Sequence, residues 1–191
     1  IPNSITNLDV LRYCPIGWVC LFDWHPFTDF GYNMLYSTNS SVIEFVNAVD
    51  PDWSETQTIA PSAITETDAT PTSVELSWTP IPYTGDGGYY QISYADQSGG
   101  PYTIHGITSD KTTSSYTADG LTKHTSFYFV TQTYTPAHDE QKNDLLSEYS
   151  EEIVGFPRVF WDVPPSHWAF PHVDTIYDAG LTAGCSSIPM R

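Results

Sequence analysis

The chain has 191 residues, enough for one domain with additions or for two small ones. Twenty-three acidic side chains stand against six Lys plus Arg, a formal net charge of −17; this excludes nucleic acid and anionic lipid as partners, because phosphate binding needs clustered cations. With 40% apolar residues, 13 Tyr, 6 Trp and 9 Phe, the composition is that of a folded, mainly-β extracellular module rather than a disordered chain.

The chain opens Ile1-Pro2-Asn3, without Met, a basic n-region or an apolar h-region, and is expected to be a processed product or a fragment. No run approaches the length of a membrane span, so membrane insertion is not expected. The cysteines are Cys14, Cys20 and Cys185, an odd number. In an exported chain that implies one pair and one thiol whose partner lies elsewhere. Cys14 and Cys20 flank a short Pro-Ile-Gly turn and are the expected disulfide, with Cys185 unpaired or intermolecular. Three reduced thiols in a cytoplasmic protein are the alternative.

Residues 1–58 carry short aromatic and β-branched runs between Asp, Asn, Gly and Pro breaks: Trp18-Val19-Cys20-Leu21-Phe22, Asn33-Met34-Leu35-Tyr36 and Val42-Ile43-Glu44-Phe45-Val46. Such runs predict strands, and hence a small β-rich N-terminal segment. Residues 14–36, with two near cysteines ahead of Phe27 to Gly31, resemble the opening of secreted crystallin-like inhibitor domains. The later repeat of that family is missing, and the resemblance implies no more than a β appendage, with a small secreted protease inhibitor as the functional option it leaves open.

Residues 60–156 show the alternation of a sandwich. Val74, Leu76 and Trp78 share one face of a strand, as do Tyr90, Ile92 and Tyr94. Further strands are expected at 61–64, 102–107, 114–117, 126–134 and 148–154, separated by turns such as Thr84-Gly85-Asp86-Gly87 and Ser98-Gly99-Gly100-Pro101. Trp78, Tyr90 with Ile92, Leu121-Thr122-Lys123-His124-Thr125 before Phe127-Tyr128-Phe129, and a last strand at Ser147-Glu148-Tyr149-Ser150 resemble a fibronectin type III domain. The resemblance implies an immunoglobulin-like β-sandwich. Phe127 stands where that family usually has Tyr, so the corner hydrogen bond is lost while the ring packing is kept. There is no Arg-Gly-Asp tripeptide.

Residues 160–191 form a third part. Ser166 is the expected N-cap of a short helix that carries Val173, Ile176 and Tyr177 on one face and stops at Gly180. Phe160-Trp161-Asp162-Val163, His167-Trp168-Ala169 and Gly180-Leu181-Thr182-Ala183-Gly184 closely resemble the first half of a surface-layer homology (SLH) repeat, a module that attaches bacterial exported proteins to the cell envelope. The second helix, with its Thr-Arg-Ala-Glu-like anchor, is not in the sequence, so this part alone is not expected to hold cell-wall polymer. Trp168, Val173, Ile176 and Tyr177 are therefore read as an interface, with a neighbouring subunit as the favoured cover.

Catalytic signatures are missing. The six histidines, His25, His105, His124, His138, His167 and His172, make no His-Glu-x-x-His pattern, and no Cys-x-x-Cys, Gly-x-Ser-x-Gly or phosphate-cradling loop occurs. Glu148, Glu151 and Glu152 read as solvated charge on an edge rather than as a glycosidase pair. Asp50, Asp52 and Glu55, or Asp139, Glu140 and Asp144, are candidate ligands of a structural calcium without regular loop spacing; no other cofactor is implied. Trp18, Trp24, Trp53 and Tyr83 read either as a sugar-stacking platform or as core and interface residues. Asn39-Ser40-Ser41 is the sole glycosylation sequon.

Together these readings describe a non-catalytic, exported bacterial surface protein, extracellular or at the cell surface. Its expected role is that of a structural subunit of a surface layer, sheath or filament. Its expected partners are copies of itself, with cell-envelope or other polysaccharide as a further candidate. The alternative is a carbohydrate-binding or spacer module of a secreted polysaccharide-degrading enzyme.

Overall fold

The computed structural model describes residues 29–160 and 163–182. In chain order it holds α1 (Ser40–Val49), a 3-10 turn (Trp53–Thr56), β1 (Ser62–Thr70), β2 (Ser73–Thr79), β3 (Tyr89–Ala95), β4 (Thr103–Ile107), β5 (Ser115–Ala118), β6 (Phe127–Thr135), β7 (Leu145–Leu146), β8 (Ile153–Gly155) and α2 (Phe170–Asp178). Two antiparallel sheets face each other: a three-stranded one in the order β1-β2-β5, and a five-stranded one in the order β4-β3-β6-β7 with β8 also on β6.

Period-two burial makes the core. On β2, Val74, Leu76 and Trp78 are buried while the residues between them are partly exposed. Tyr90 and Ile92 on β3 and Phe127 and Phe129 on β6 meet them from the other sheet, with Tyr94 half-buried at the margin. Each fully buried large apolar side chain contributes about 1.5–3 kcal/mol, so these two rows hold the sandwich closed. Phe127 packs edge-on to Tyr94, with centroids 5.7 Å apart, and so retains the ring contact expected of it.

The N-terminal region departs from its expected strands. Within residues 29–58 the described elements are α1 and the 3-10 turn, and the run at 42–46 is helical. Two sequence signals outweigh β-branching here. Asn39 caps the helix, its Oδ1 accepting from the backbone N–H of Ser41 at 3.0 Å and of Val42 at 3.3 Å. Val42 and Val46 lie one helical turn apart and bury together against Trp53, with Phe30, Leu35 and Phe45 around them. Residues 33–36 form no strand; the Leu35 N–H bonds the Gln57 side chain rather than a ladder.

The last strand also differs from the expectation. Residues 147–150 fall between β7 and β8, outside regular strand. The Ser147 and Ser150 N–H groups still donate to the Thr133 and Thr131 carbonyls, but their hydroxyls, not their backbone carbonyls, accept the return bonds from the Thr133 and Thr131 N–H groups. Two serines thus continue the ladder where the backbone has turned away.

In the C-terminal part, the N-cap of α2 is Ala169 rather than Ser166. Pro164 and Pro165 start a separate turn closed by the His167 N–H on the Pro164 carbonyl, and Pro171 occupies the first turn of α2, where a missing N–H costs nothing. Gly180 follows with φ +68°, as the expected stop. Among the described residues no helix is long and apolar enough to cross a membrane.

Candidate functional site

The loop between β5 and β6 seats α2 on the sandwich. Lys123 Nζ lies 2.8 Å from both carboxylate oxygens of Asp178 and 3.4 Å from Asp174 Oδ2, and His124 Nε2 lies 3.1 Å from Asp174 Oδ1. The Asp178 and Asp174 carboxylates hold the Lys123 ammonium above its ordinary range. Beneath the charges, Phe170 stands edge-on to the His124 ring at 5.0 Å and tilts against Phe156. Val173 enters a crevice lined by Val159, Phe160, Val163 and Phe170, and Tyr177 meets Phe160 edge-on.

The face expected to be one stripe is therefore divided. Val173 and Tyr177 are half-covered by this chain's own residues, whereas Ile176 is 43% exposed and Trp168 79% exposed. Leu181, just past the helix, is 78% exposed and belongs with them.

A second surface was not singled out from the sequence. No Asp, Glu, Lys or Arg occurs in any strand of the five-stranded sheet, whereas β1 and β2 carry Glu66, Asp68 and Glu75. Register places Ile104 beside Ser93, Ile107 beside Gln91, Leu146 beside Tyr134 and Val154 beside Tyr128, all opposite to the buried rows. Ile104, Ile107, Leu146 and Val154 are exposed. The signal available in the sequence was a run of strand segments without formal charge in a chain of net charge −17.

Glu152 closes one end of that face. Its carboxylate accepts from Ser98 Oγ at 2.6 Å, the Gly99 N–H at 2.8 Å and the Tyr102 hydroxyl at 2.5 Å. Those donors, Ser98 and Tyr102 foremost, hold the Glu152 carboxyl below its ordinary range, and Glu152 in turn raises the Tyr102 phenol. Tyr102 lies against Tyr149, with centroids 5.1 Å apart. Glu152 is thus a clamp between the β3–β4 hairpin and the approach to β8, rather than the free surface charge expected; Glu148 and Glu151 are exposed.

The other sequence candidates lie away from these two surfaces. Cys14, Cys20, Cys185, Trp18 and Trp24 lie outside the described residues. Trp53 is buried in the small N-terminal core, its Nε1 donating to Asn47 Oδ1 at 2.7 Å, and Tyr83 meets Tyr32 edge-on, so these two offer no open stacking platform. Asn39 is exposed and caps α1. Among the described residues no three His, Cys, Asp or Glu side chains gather as a metal site. Asp50 accepts from the Phe30 N–H at 2.7 Å, and burial raises its carboxyl; Asp144 accepts from the Ala137 N–H at 2.9 Å. Asp144 serves its own loop, whereas Asp50 holds Phe30 from another segment and lines one cleft with Asp29, Asp52 and Glu55.

Two facing antiparallel sheets with Trp78 and Tyr90 at their centre match what the sequence motifs imply, and residues 59–145 match the family model for the fibronectin type III domain. The fold of these residues is a fibronectin type III-like β-sandwich. Such domains are in general non-catalytic modules. Among solved structures, an Fn3-like protein from Clostridium thermocellum is similar at 22% identity over 53% of this chain and 96% of that one, with a TM-score of 0.40. A β-1,2-glucanase from Parabacteroides distasonis is similar at 17% identity over 52% of this chain and 13% of its own, TM-score 0.41. The twitchin kinase region from C. elegans gives 17% identity over 52% and 17%, TM-score 0.42. No curated protein matches the chain.

Proposed function

We propose that this protein is a non-catalytic structural subunit of an extracellular or cell-surface assembly and that its partners are further copies of itself. A fibronectin type III fold alone does not choose among adhesion, spacing and assembly, so the reading rests on surface chemistry. The observation that carries it is the uncharged outer face of the five-stranded sheet. Two chains of net charge −17 repel one another. They approach at least cost where the strands carry no carboxylate, and that face offers exposed Ile104, Ile107, Leu146 and Val154 for burial. Its edge strand, β4, carries no Lys or Pro of the kind that blunts sheet edges. The SLH-like tail, with Trp168, Ile176 and Leu181 exposed on and beside α2, supports the same reading as a second contact.

Electron microscopy and light scattering on the purified full chain test this directly. Regular oligomers, sheets or filaments are expected, and Ile104→Glu with Val154→Glu is expected to disperse them while leaving the circular dichroism of the sandwich unchanged. A wild-type chain that stays monomeric at high concentration refutes the reading and favours the spacer module of a polysaccharide-degrading enzyme. Assembly that survives both substitutions moves the contact off this face.

A further inference from the structure

Lys111 is the one buried lysine of the chain's three; Lys123 is half-buried and Lys142 exposed. It lies in the turn between β4 and β5, and its side chain has 0% exposure. Nζ is in direct contact with Oδ1 of Asp86, itself only 4% exposed, from the turn between β2 and β3. Its second partner is Thr135 Oγ1 at 3.0 Å, at the end of β6, which also accepts from Thr58 Oγ1 at 2.8 Å. An ammonium has three N–H groups to satisfy, and two acceptors are in place here. Burial pushes the Lys111 ammonium down, against the opposing pull of Asp86.

On the far side of the carboxyl stands His138. Its Nε2 lies 3.9 Å from Asp86 Oδ2 and is buried without a hydrogen-bond partner, while its Nδ1 lies 3.2 Å from Glu140 Oε2. Tyr32 covers the imidazole edge-on at 5.2 Å. An amine and a carboxyl are thus buried together with an imidazole, 20% exposed, at their edge, each supplied by a different connection of the sandwich.

We propose that Lys111 and Asp86 are joined by an intramolecular amide bond, formed after folding between Lys111 Nζ and Asp86 Cγ. Transfer of one proton from the ammonium to the carboxylate gives the neutral amine and the neutral acid, and leaves no buried charge. A desolvated lysine amine is a nucleophile. Nζ attacks Cγ, the Cγ–Oδ2 bond breaks, and Oδ2 leaves as water with the acid proton and one amine proton. His138 Nε2 is placed to carry a proton to the departing oxygen. The remaining N–H keeps its bond to Thr135 Oγ1. Amine plus acid gives amide plus water, with no oxidant, reductant or activating group required. An amide also removes two charges whose burial is otherwise costly, and it needs only the acceptors already present. Because Asp86 joins β2 to β3 and Lys111 joins β4 to β5, the bond fastens the two sheets together at one end.

Mass spectrometry of the reduced, denatured full chain decides the question. The wild type is expected one water lighter than its sequence, and Lys111→Met and Asp86→Ala are each expected at their full sequence mass. Trypsin is expected to leave Lys111 uncut and to release one branched peptide containing both residues. A wild type at full sequence mass overturns the proposal. So does a lost water that persists in Lys111→Met with trypsin still cutting after Lys111 in the wild type, since that pattern belongs to a succinimide at Asp86-Gly87. The wild-type readings decide even if neither variant folds.

Discussion

The indole of Trp78 stands edge-on to the ring of Tyr90, centroids 5.4 Å apart at 71°, and joins β2 of one sheet to β3 of the other. Each polar tip is satisfied as well: Trp78 Nε1 donates to the Thr113 carbonyl at 3.1 Å, and Tyr90 OH accepts from the Ile81 N–H at 2.9 Å. Trp78→Ala is therefore expected to destabilise the protein by about 3–5 kcal/mol, as large-to-small core changes do. Tyr90→Phe keeps the ring but strands the Ile81 N–H, at about 1–3 kcal/mol. Denaturant unfolding checks both; a Trp78→Ala midpoint equal to that of the parent contradicts its place in the core.

Gln57 organises the N-terminal segment. It is 2% exposed; its Oε1 accepts from the Leu35 N–H at 2.7 Å, and its Nε2 donates to the Phe30 carbonyl at 2.7 Å and the Trp53 carbonyl at 2.5 Å. Gln57→Ala leaves those backbone groups without partners, at about 1–3 kcal/mol for each buried group so stranded. The small core of Val42, Val46 and Trp53 is expected to open before the sandwich. Limited proteolysis is expected to cut within 29–58 in the variant while 60–156 stays intact; equal resistance in parent and variant counts against this role.

What was legible in the sequence was local. Val74, Leu76 and Trp78 alternate within one strand, so their common burial follows from a period of two without knowledge of any partner. The run Val42 to Val46, with three β-branched residues, suits a strand as well as a buried helical turn, and Asn39 fits a sequon as well as a cap. Ser166 has the side chain of an N-cap, whereas Pro171 fixes where the helix begins. Glu152 and Lys111 were out of reach for a different reason. Their partners Ser98, Tyr102 and Asp86 come from other connections of the fold, and only the sandwich topology brings them together.

Seating of α2 combines a salt-sensitive and a salt-insensitive part. Exposed ion pairs such as Lys123 with Asp178 contribute about 0.2–1 kcal/mol and are screened by salt. Phe170, half-buried against Phe156 and His124, contributes about 1–1.5 kcal/mol that salt leaves intact. Lys123→Met is expected to speed hydrogen exchange of the α2 amides at low ionic strength and to make little difference at high ionic strength. Phe170→Ala is expected to speed it at both. Identical salt responses in the two variants contradict this division.

Glu152 makes the hairpin clamp pH-dependent in one direction. Hydrogen bonds from Ser98, Tyr102 and Gly99 lower its pKa in the folded protein relative to the unfolded chain. A depressed carboxyl contributes stability that is fully present above its unfolded value, about 4.3, and is lost as the pH falls through the lower folded value. Glu152→Gln keeps the shape and one acceptor oxygen but removes the charge that strengthens all three bonds. The variant is expected to be less stable than the parent at neutral pH and to converge on it only as the pH falls through the lowered folded value of Glu152. Its β3–β4 hairpin amides, Gly99 first, are expected to exchange faster at neutral pH. Denaturant titrations at a series of pH values check the convergence. A stability difference that stays constant down to acid pH would show that Glu152 acts through packing with Tyr102 and Tyr149 rather than through its charge.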